Sequence, residues 1–172
     1  MASITRGIDH IGITVPDVEE ATTFFKNAFD AKIAYDGISL DGEPLKGVDV
    51  EQKLGVRPGT EVIHVRMLTF DNGAIELFNY QNTEQKEAVI ASDIGIQHFC
   101  FYVDNMQQAV QRFIDAGGVL LTDPGSMQGD VENGSGEFVY GRLPWGTLIE
   151  LTSYDEEKIK YPSDSEARRF TP

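Results

Sequence analysis

The sequence has little of several features that would indicate particular classes of protein. It contains one cysteine, Cys100, so no disulfide can form within the chain. No run approaches the ~18 consecutive apolar residues of a membrane helix, and the first ten residues lack the apolar stretch of a signal peptide. Lys and Arg total 14 against 28 acidic residues, a net charge of −14. These shortages predict a cytoplasmic protein without a nucleic-acid or membrane partner, since such binding requires exposed cations.

The chain does have enough apolar residues for a folded core. It has 172 residues, 41% of them hydrophobic and 10% aromatic, and a chain of this length can bury roughly 70% of the surface that it exposes when unfolded. A repeat then predicts how it is organised. The segment 8–17 (IDHIGITVPD) and the segment 96–105 (IQHFCFYVDN) are both alternating strands with His at the third position, and each runs into a helical pattern.

A second pair of similar segments follows within each half. Residues 73–80 (GAIELFNY) and 146–154 (GTLIELTSY) are strands that follow a turn and carry one Glu. The His residues are 88 positions apart and the Glu residues 74, so the first half holds 14 more residues between them, which we place in a loop at 36–59. The pattern predicts two modules, 1–88 and 89–154, each with a strand, a helix and then strands of which the last carries the Glu, and a tail at 155–172. A second loop, 123–136, is long enough to act as a lid.

Strand parity predicts which of these polar side chains share a face. Because alternate side chains point to opposite faces, His10, Glu76, His98 and Glu150 are each expected on the face away from the apolar stripe. If the sheet curls there into a cleft, two imidazoles and two carboxylates converge. Two carboxylates in one cleft repel unless a cation lies between them, so this set predicts a divalent metal, Ni, Co, Mn, Zn or Fe.

With this repeat and this order of ligands, the chain resembles the vicinal oxygen chelate superfamily, which includes glyoxalase I, methylmalonyl-CoA epimerase, extradiol dioxygenases and bleomycin-resistance proteins. The resemblance implies an α+β fold of two tandem βαβββ modules that form a curled mixed sheet with a metal cleft. It also implies the metal ligands His10, Glu76, His98 and Glu150, and a homodimer. The order His, Glu, His, Glu is most similar to glyoxalase I of the bacterial type and to certain epimerases. In that family a ligating Glu can leave the metal and carry a proton, a role we expect for Glu150 first and Glu76 second.

Five further residues are candidates around this cleft. His64 and Arg66 alternate with apolar residues and are expected on the cleft face, His64 as a general acid or base and Arg66 as a partner either for a substrate anion or for Glu76. Tyr102, Tyr140 and Trp145 are candidates for substrate binding. We therefore expect a metal-dependent isomerase, epimerase or lyase that forms an enolate from a small substrate with vicinal oxygens. The alternatives are a non-haem iron dioxygenase and a small-molecule binding or resistance protein without catalysis.

Overall fold

A computed structural model describes residues 7–165 and 167–169 of the chain. The chain divides into two compact units, residues 1–86 and 87–172. The first unit consists of β1 (His10–Thr14), α1 (Val18–Phe29), β2 (Lys32–Ile38), α2 (Val48–Leu54), β3 (Glu61–Thr69) and β4 (Ala74–Gln81).

The second unit repeats this order without a counterpart of α2 and with three short additions. It consists of β5 (Phe99–Tyr102), α3 (Met106–Asp115), β6 (Val119–Leu120), β7 (Gly125–Ser126), α4 (Gly129–Glu132), β8 (Gly136–Arg142), β9 (Leu148–Tyr154) and a 3-10 turn (Glu156–Lys158). Without β7, α4 and the 3-10 turn, both units read strand, helix, strand, strand, strand, apart from α2 in the first.

Each unit contains one mixed sheet. The strand order is β1-β4-β3-β2 in the first and β5-β9-β8-β6 in the second, where β7 also pairs with β8. In both sheets the first strand of the unit runs parallel to the last, β1 beside β4 and β5 beside β9, and the remaining pairs are antiparallel. The α+β class and the two βαβββ modules are therefore confirmed, with the strands arranged in two sheets rather than in one.

Both repeated helices begin where the sequence predicts. Asp17 caps α1 by accepting a hydrogen bond from the Glu20 amide at 2.9 Å, and Asn105 caps α3 by accepting one from the Gln108 amide at 2.9 Å. Such caps satisfy amides that have no partner inside the helix. Capping thus fixes where the chain turns from β1 and β5 into its helices.

The two segments expected to be loops contain regular structure. Segment 36–59 holds the end of β2 and all of α2, and segment 123–136 holds β7 and α4. The helix α2 has no buried residue, so no apolar stripe of this helix packs into the core. No helix in the described ranges is long and apolar enough to cross a membrane.

Gly136, at the start of β8, provides a test of the β8–β9 pairing. A Cβ at this position would lie 2.6 Å from the Cα of Tyr154 and would overlap the main-chain oxygen of Ser153. We expect Gly136→Ala to lower the free energy of unfolding by about 1–3 kcal/mol, because the neighbouring backbone must move. Thermal unfolding measures the loss. Gly125→Ala, where a Cβ meets nothing within 4 Å, should stay close to wild type, and equal stability of the two variants would contradict this packing.

Candidate functional site

Each unit brings one His and one Glu together. In the first His–Glu pair, His10 Nε2 lies 3.4 Å from Glu76 Oε2. In the second His–Glu pair, His98 Nε2 lies 3.0 Å from Glu150 Oε2. The parallel registers explain this likeness: β4 places Glu76 beside Gly12 and β9 places Glu150 beside Cys100, so each Glu is level with the residue two positions after the His.

The other ring nitrogen of each His is held by the residue that precedes it. His10 Nδ1 lies 2.7 Å from Asp9 Oδ1, and His98 Nδ1 lies 2.7 Å from Gln97 Oε1. Gln97 donates its amide N–H to Ala91 O, which leaves its oxygen facing the ring. Because both oxygens only accept hydrogen bonds, we assign the proton of the neutral imidazole to Nδ1, with the lone pair on Nε2. Sequence reasoning missed Asp9 and Gln97, although both directly precede the His of the repeat.

This arrangement leaves two acceptors facing each other in each pair. A lone pair on Nε2 and a carboxylate oxygen at 3.0–3.4 Å repel unless a proton or a cation lies between them. Two atoms that each bind one metal ion at about 2.1 Å are themselves about 3.0 Å apart at a right angle and about 3.4 Å apart at a tetrahedral angle. Metal-bound His residues characteristically donate their other ring N–H to an oxygen, as Asp9 and Gln97 allow. The donor set of both pairs therefore fits a divalent metal.

Over the described residues, no group of three or more His, Cys, Asp or Glu side chains is arranged to hold an ion. Each pair supplies one nitrogen and one oxygen, which is half of a four-ligand set.

Two side chains with an ionisable proton, Tyr140 and Cys100, flank the glutamate of the second pair. Tyr140 on β8 lies directly across from Glu150, and its ring packs edge-on against His98 at 5.0 Å between centroids. Burial, followed by the charge of Glu150, raises the pKa of the Tyr140 hydroxyl. Desolvation of the thiol and the same charge raise the pKa of Cys100 to about 12, which removes it as a thiolate nucleophile. The hydrogen bond to Asp9 is the main reason that the pKa of His10 is raised.

The prediction that His64 and Arg66 lie on the same face as Glu76 is wrong. The register of β3 against β4 places Met67 opposite Glu76 and Arg66 opposite Leu77, so Arg66 and His64 lie on the other face of the sheet. His64 is buried there, with Nε2 3.6 Å from Asp36 Oδ1, too far for a hydrogen bond. The two residues are therefore not placed to act with the first pair.

Arg66 instead connects α1, β2 and β3 on the face of the first sheet opposite the His10–Glu76 pair. Its five N–H groups donate to Asp36 Oδ1 and Oδ2 at 2.6 and 3.0 Å, to Glu19 Oε1 and Oε2 at 2.8 Å each, and to Thr22 Oγ1 at 3.2 Å. The residue is 6% exposed. With every donor used, this guanidinium fastens α1 and β2 to β3 and has no N–H left for a substrate anion.

The remaining two candidates, Tyr102 and Trp145, lie in the second unit. Tyr102 ends β5; its hydroxyl donates to Tyr154 O at 3.0 Å, and burial is the main cause that raises its pKa. It borders an open depression of about 500 Å³ whose lining includes Asp104, Glu137 and Tyr154 but neither His98 nor Glu150. Trp145 lies partly buried in the turn between β8 and β9.

Comparisons with known proteins identify the family of the chain. A model of the Glyoxalase/Bleomycin resistance protein/Dioxygenase superfamily matches residues 9–136, and the chain belongs to this superfamily. A 2-epi-5-epi-valiolone epimerase from Actinomyces sp is 27% identical over 173 residues, which cover 96% of this chain and 88% of that protein.

Solved structures show the same fold. A glyoxalase family protein from Bacillus cereus has a TM-score of 0.67 at 19% identity and covers 89% of this chain and 99% of its own. A mutant of the fosfomycin resistance protein FosX from Listeria monocytogenes, complexed with Mn(II) and 1S,2S-dihydroxypropylphosphonic acid, has a TM-score of 0.57 at 15% identity, with 90% and 95% coverage.

Removal of the Arg66 cation should destabilise the fold. We expect Arg66→Met to lower the free energy of unfolding by about 2–3 kcal/mol, below the ~3–5 kcal/mol of a fully buried pair because Glu19 and Asp36 are partly exposed. Urea unfolding measures this, with the exposed Lys32→Met on β2 as the control. Unchanged stability of Arg66→Met would contradict the structural role.

The same cluster predicts a dependence on pH. Hydrogen bonding to Arg66 lowers the pKa of Asp36 below its ordinary 3.8. Its stabilisation is therefore fully present above pH 3.8 and is lost as the pH falls through the lower pKa of the folded state. We expect the stability difference between wild type and Asp36→Asn, measured by urea unfolding, to be largest at pH 7 and to shrink below pH 3.8. A difference that stays constant with pH would contradict this.

Proposed function

We propose that this chain is a divalent-metal-dependent isomerase or epimerase, which removes and returns a proton next to a carbonyl of a small substrate with vicinal oxygens. The observation that carries the proposal is the repeated His–Glu pair, in which Nε2 and Oε2 face each other at the separation of two ligands of one ion. A lyase of the glyoxalase type uses the same proton transfer and belongs to the same proposal.

Two findings support this choice of reaction. The relative from Actinomyces is named as an epimerase and covers nearly the whole chain, and the FosX structure was determined with Mn(II). The residues themselves are consistent with proton transfer, because Glu76 and Glu150 are carboxylates at 24% and 16% side-chain exposure, sheltered yet accessible to a substrate.

We propose that His10 and His98, through Nε2, and Glu76 and Glu150, through Oε2, are the metal ligands. When bound, a divalent metal of this kind withdraws electron density from a carbonyl oxygen and so acidifies the neighbouring C–H. Asp9 and Gln97 hold the two rings by Nδ1, which keeps each Nε2 lone pair directed at its Glu.

In the reaction that we propose, one glutamate carboxylate accepts the proton of the C–H next to the carbonyl. The electron pair of that bond moves toward the carbonyl oxygen, and the proton returns to carbon to give the isomer. Tyr140 lies across from Glu150 and, with its hydroxyl kept protonated by a raised pKa, can donate a hydrogen bond to a substrate oxygen.

Metal content measured by mass spectrometry on protein purified without an affinity tag tests the ligand set. We expect stoichiometric metal in wild type and at least a tenfold loss in His10→Ala and in His98→Ala, because each removes one nitrogen ligand. Glu137→Ala, an exposed glutamate on β8, serves as the control. Light scattering on the same samples tests the homodimer that we also propose.

Turnover is tested with 2-epi-5-epi-valiolone in D₂O, where NMR detects deuterium at carbon. Deuterium incorporation by the metal-loaded protein is expected. Absence of metal after reconstitution with Ni, Co, Mn, Zn and Fe(II) would overturn the proposal in favour of a binding protein, and oxygen consumption with Fe(II) and a catechol would overturn it in favour of a dioxygenase.

A further inference from the structure

The tail that follows β9 packs against the second unit. Ile159 is 7% exposed and lies in one apolar cluster with Met127 and Tyr154, against which Val131 of α4 also packs. The Lys160 amide donates to Val131 O at 2.9 Å. The tail therefore has a defined position on this unit, and its side chains can be assigned to a face of the second sheet.

The tail places the guanidinium of Arg169 on the face of that sheet which carries the second His–Glu pair. Its Cζ lies 4.5 Å from the centroid of the Tyr154 ring. Tyr154 shares a face of β9 with Glu150, because the two are four residues apart in one strand. The charge of Arg169 also reaches Cys100, the residue paired with Glu150, where it opposes the rise in the pKa of the thiol.

Arg169 is fixed in place, yet most of its hydrogen-bond donors are available. Its amide donates to the Tyr161 hydroxyl at 2.9 Å, and its Nη1 donates to Glu132 Oε1 on α4. Among the described residues Glu132 is the one acceptor that this guanidinium has, so Nε and Nη2 have none there. The side chain is 40% exposed. Arg66, in contrast, is buried and uses all five of its N–H groups.

The chemistry of this cation limits what it can bind. A guanidinium donates hydrogen bonds and accepts none, so its ligand must present an oxygen or another acceptor. Because Glu132 already offsets the charge, a neutral hydroxyl or carbonyl oxygen is a sufficient partner.

We infer that Arg169 donates a hydrogen bond to a substrate oxygen beyond the vicinal pair, and that the substrate is a polyhydroxylated ketone. The inference rests on the proposed function and deepens it by naming the class of substrate. The match to the superfamily model ends at residue 136, so membership of the superfamily does not by itself supply this contact.

Arg169→Met and Arg168→Met test the contact as a matched pair. The two arginines are neighbours, and Arg168 makes the same kind of contact with the Tyr161 ring, at 4.4 Å. Ligand binding to the Co(II)-loaded protein is followed by the visible absorption of Co(II). The ligands are 2-epi-5-epi-valiolone, a polyhydroxylated ketone, and hydroxyacetone, which has vicinal oxygens and no others.

We expect Arg169→Met to raise the dissociation constant of 2-epi-5-epi-valiolone at least ~tenfold, the usual effect of losing a hydrogen bond from a charged donor. The dissociation constant of hydroxyacetone should not change, because it has no oxygen for Arg169. Arg168→Met should leave both constants at wild-type values. Deuterium incorporation at saturating 2-epi-5-epi-valiolone should also stay at the wild-type rate in Arg169→Met, since the lost contact is remote from the proton that moves.

Glu132→Gln tests whether the ion pair positions the guanidinium. The variant keeps the donors of Arg169 but removes the charge that orients them, so we expect a smaller rise in the same dissociation constant, about threefold. The double variant Glu132→Gln/Arg169→Met should match Arg169→Met, because Glu132 acts through Arg169. A further rise in the double variant would contradict this positioning role.

The outcomes separate this inference from the proposed function. An unchanged constant in Arg169→Met, an equal loss with hydroxyacetone, or an equal loss in Arg168→Met would overturn the contact. A larger loss with dihydroxyacetone phosphate than with 2-epi-5-epi-valiolone would overturn the class of substrate in favour of an anionic one. Failure of wild type to bind Co(II) would instead overturn the proposed function, and this inference with it.

Discussion

The parallel pairing of the first and last strands of each unit is the constraint on which the candidate site depends. In both units it sets the Glu level with the residue two positions after the His, which is what brings Nε2 and Oε2 to 3.4 and 3.0 Å. A slip of one residue would turn Glu76 or Glu150 toward the buried face, since strand side chains alternate. The buried neighbours Ile75, Leu77, Ile149 and Leu151 oppose such a slip, because each would lose its place in the core.

Arg66 supports this register from the opposite face of the first sheet. By binding Glu19 on α1 and Asp36 on β2, it fixes both elements to β3, and β3 is the strand that presents Met67 to Glu76. A buried cation of this kind stabilises only when its partners stay in place, since removal of either side leaves an uncompensated charge. The charged groups near Glu76 therefore lie on two faces of the first sheet. Arg66 and its carboxylate partners lie on one face, and the His10–Glu76 pair lies on the other.

Sequence patterns predicted the residues of the pairs but not those of β3. In β1 and in the first half of β4 the less exposed apolar residues alternate with the more exposed ones, so parity alone assigns His10 and Glu76 to the face opposite the apolar one. In β3 both faces are buried from Val65 to Leu68, and an irregularity between Val62 and His64 shifts the register. Alternation carries no information in such a strand, which is why the expectation for His64 and Arg66 failed.

The tertiary partners of Arg66 could not be predicted from the sequence either. Glu19 and Asp36 lie 47 and 30 residues from Arg66, and nothing in the local sequence shows that they neutralise it. Asp9 and Gln97, by contrast, could have been found, because each precedes the His of the repeat and each carries a side-chain oxygen.

The repeat explains why each unit has a His–Glu pair, and departures from the repeat explain how the surroundings of the pairs differ. His and Glu occupy equivalent positions in both units, so their identity does not distinguish one pair from the other. The flanking side chains do distinguish them, because Glu76 lies between Gly12 and Met67 whereas Glu150 lies between Cys100 and Tyr140. Since such neighbours set the hydrogen-bond donors and the space around a carboxylate, substitution at these flanking positions can change the surroundings of each glutamate without altering either pair.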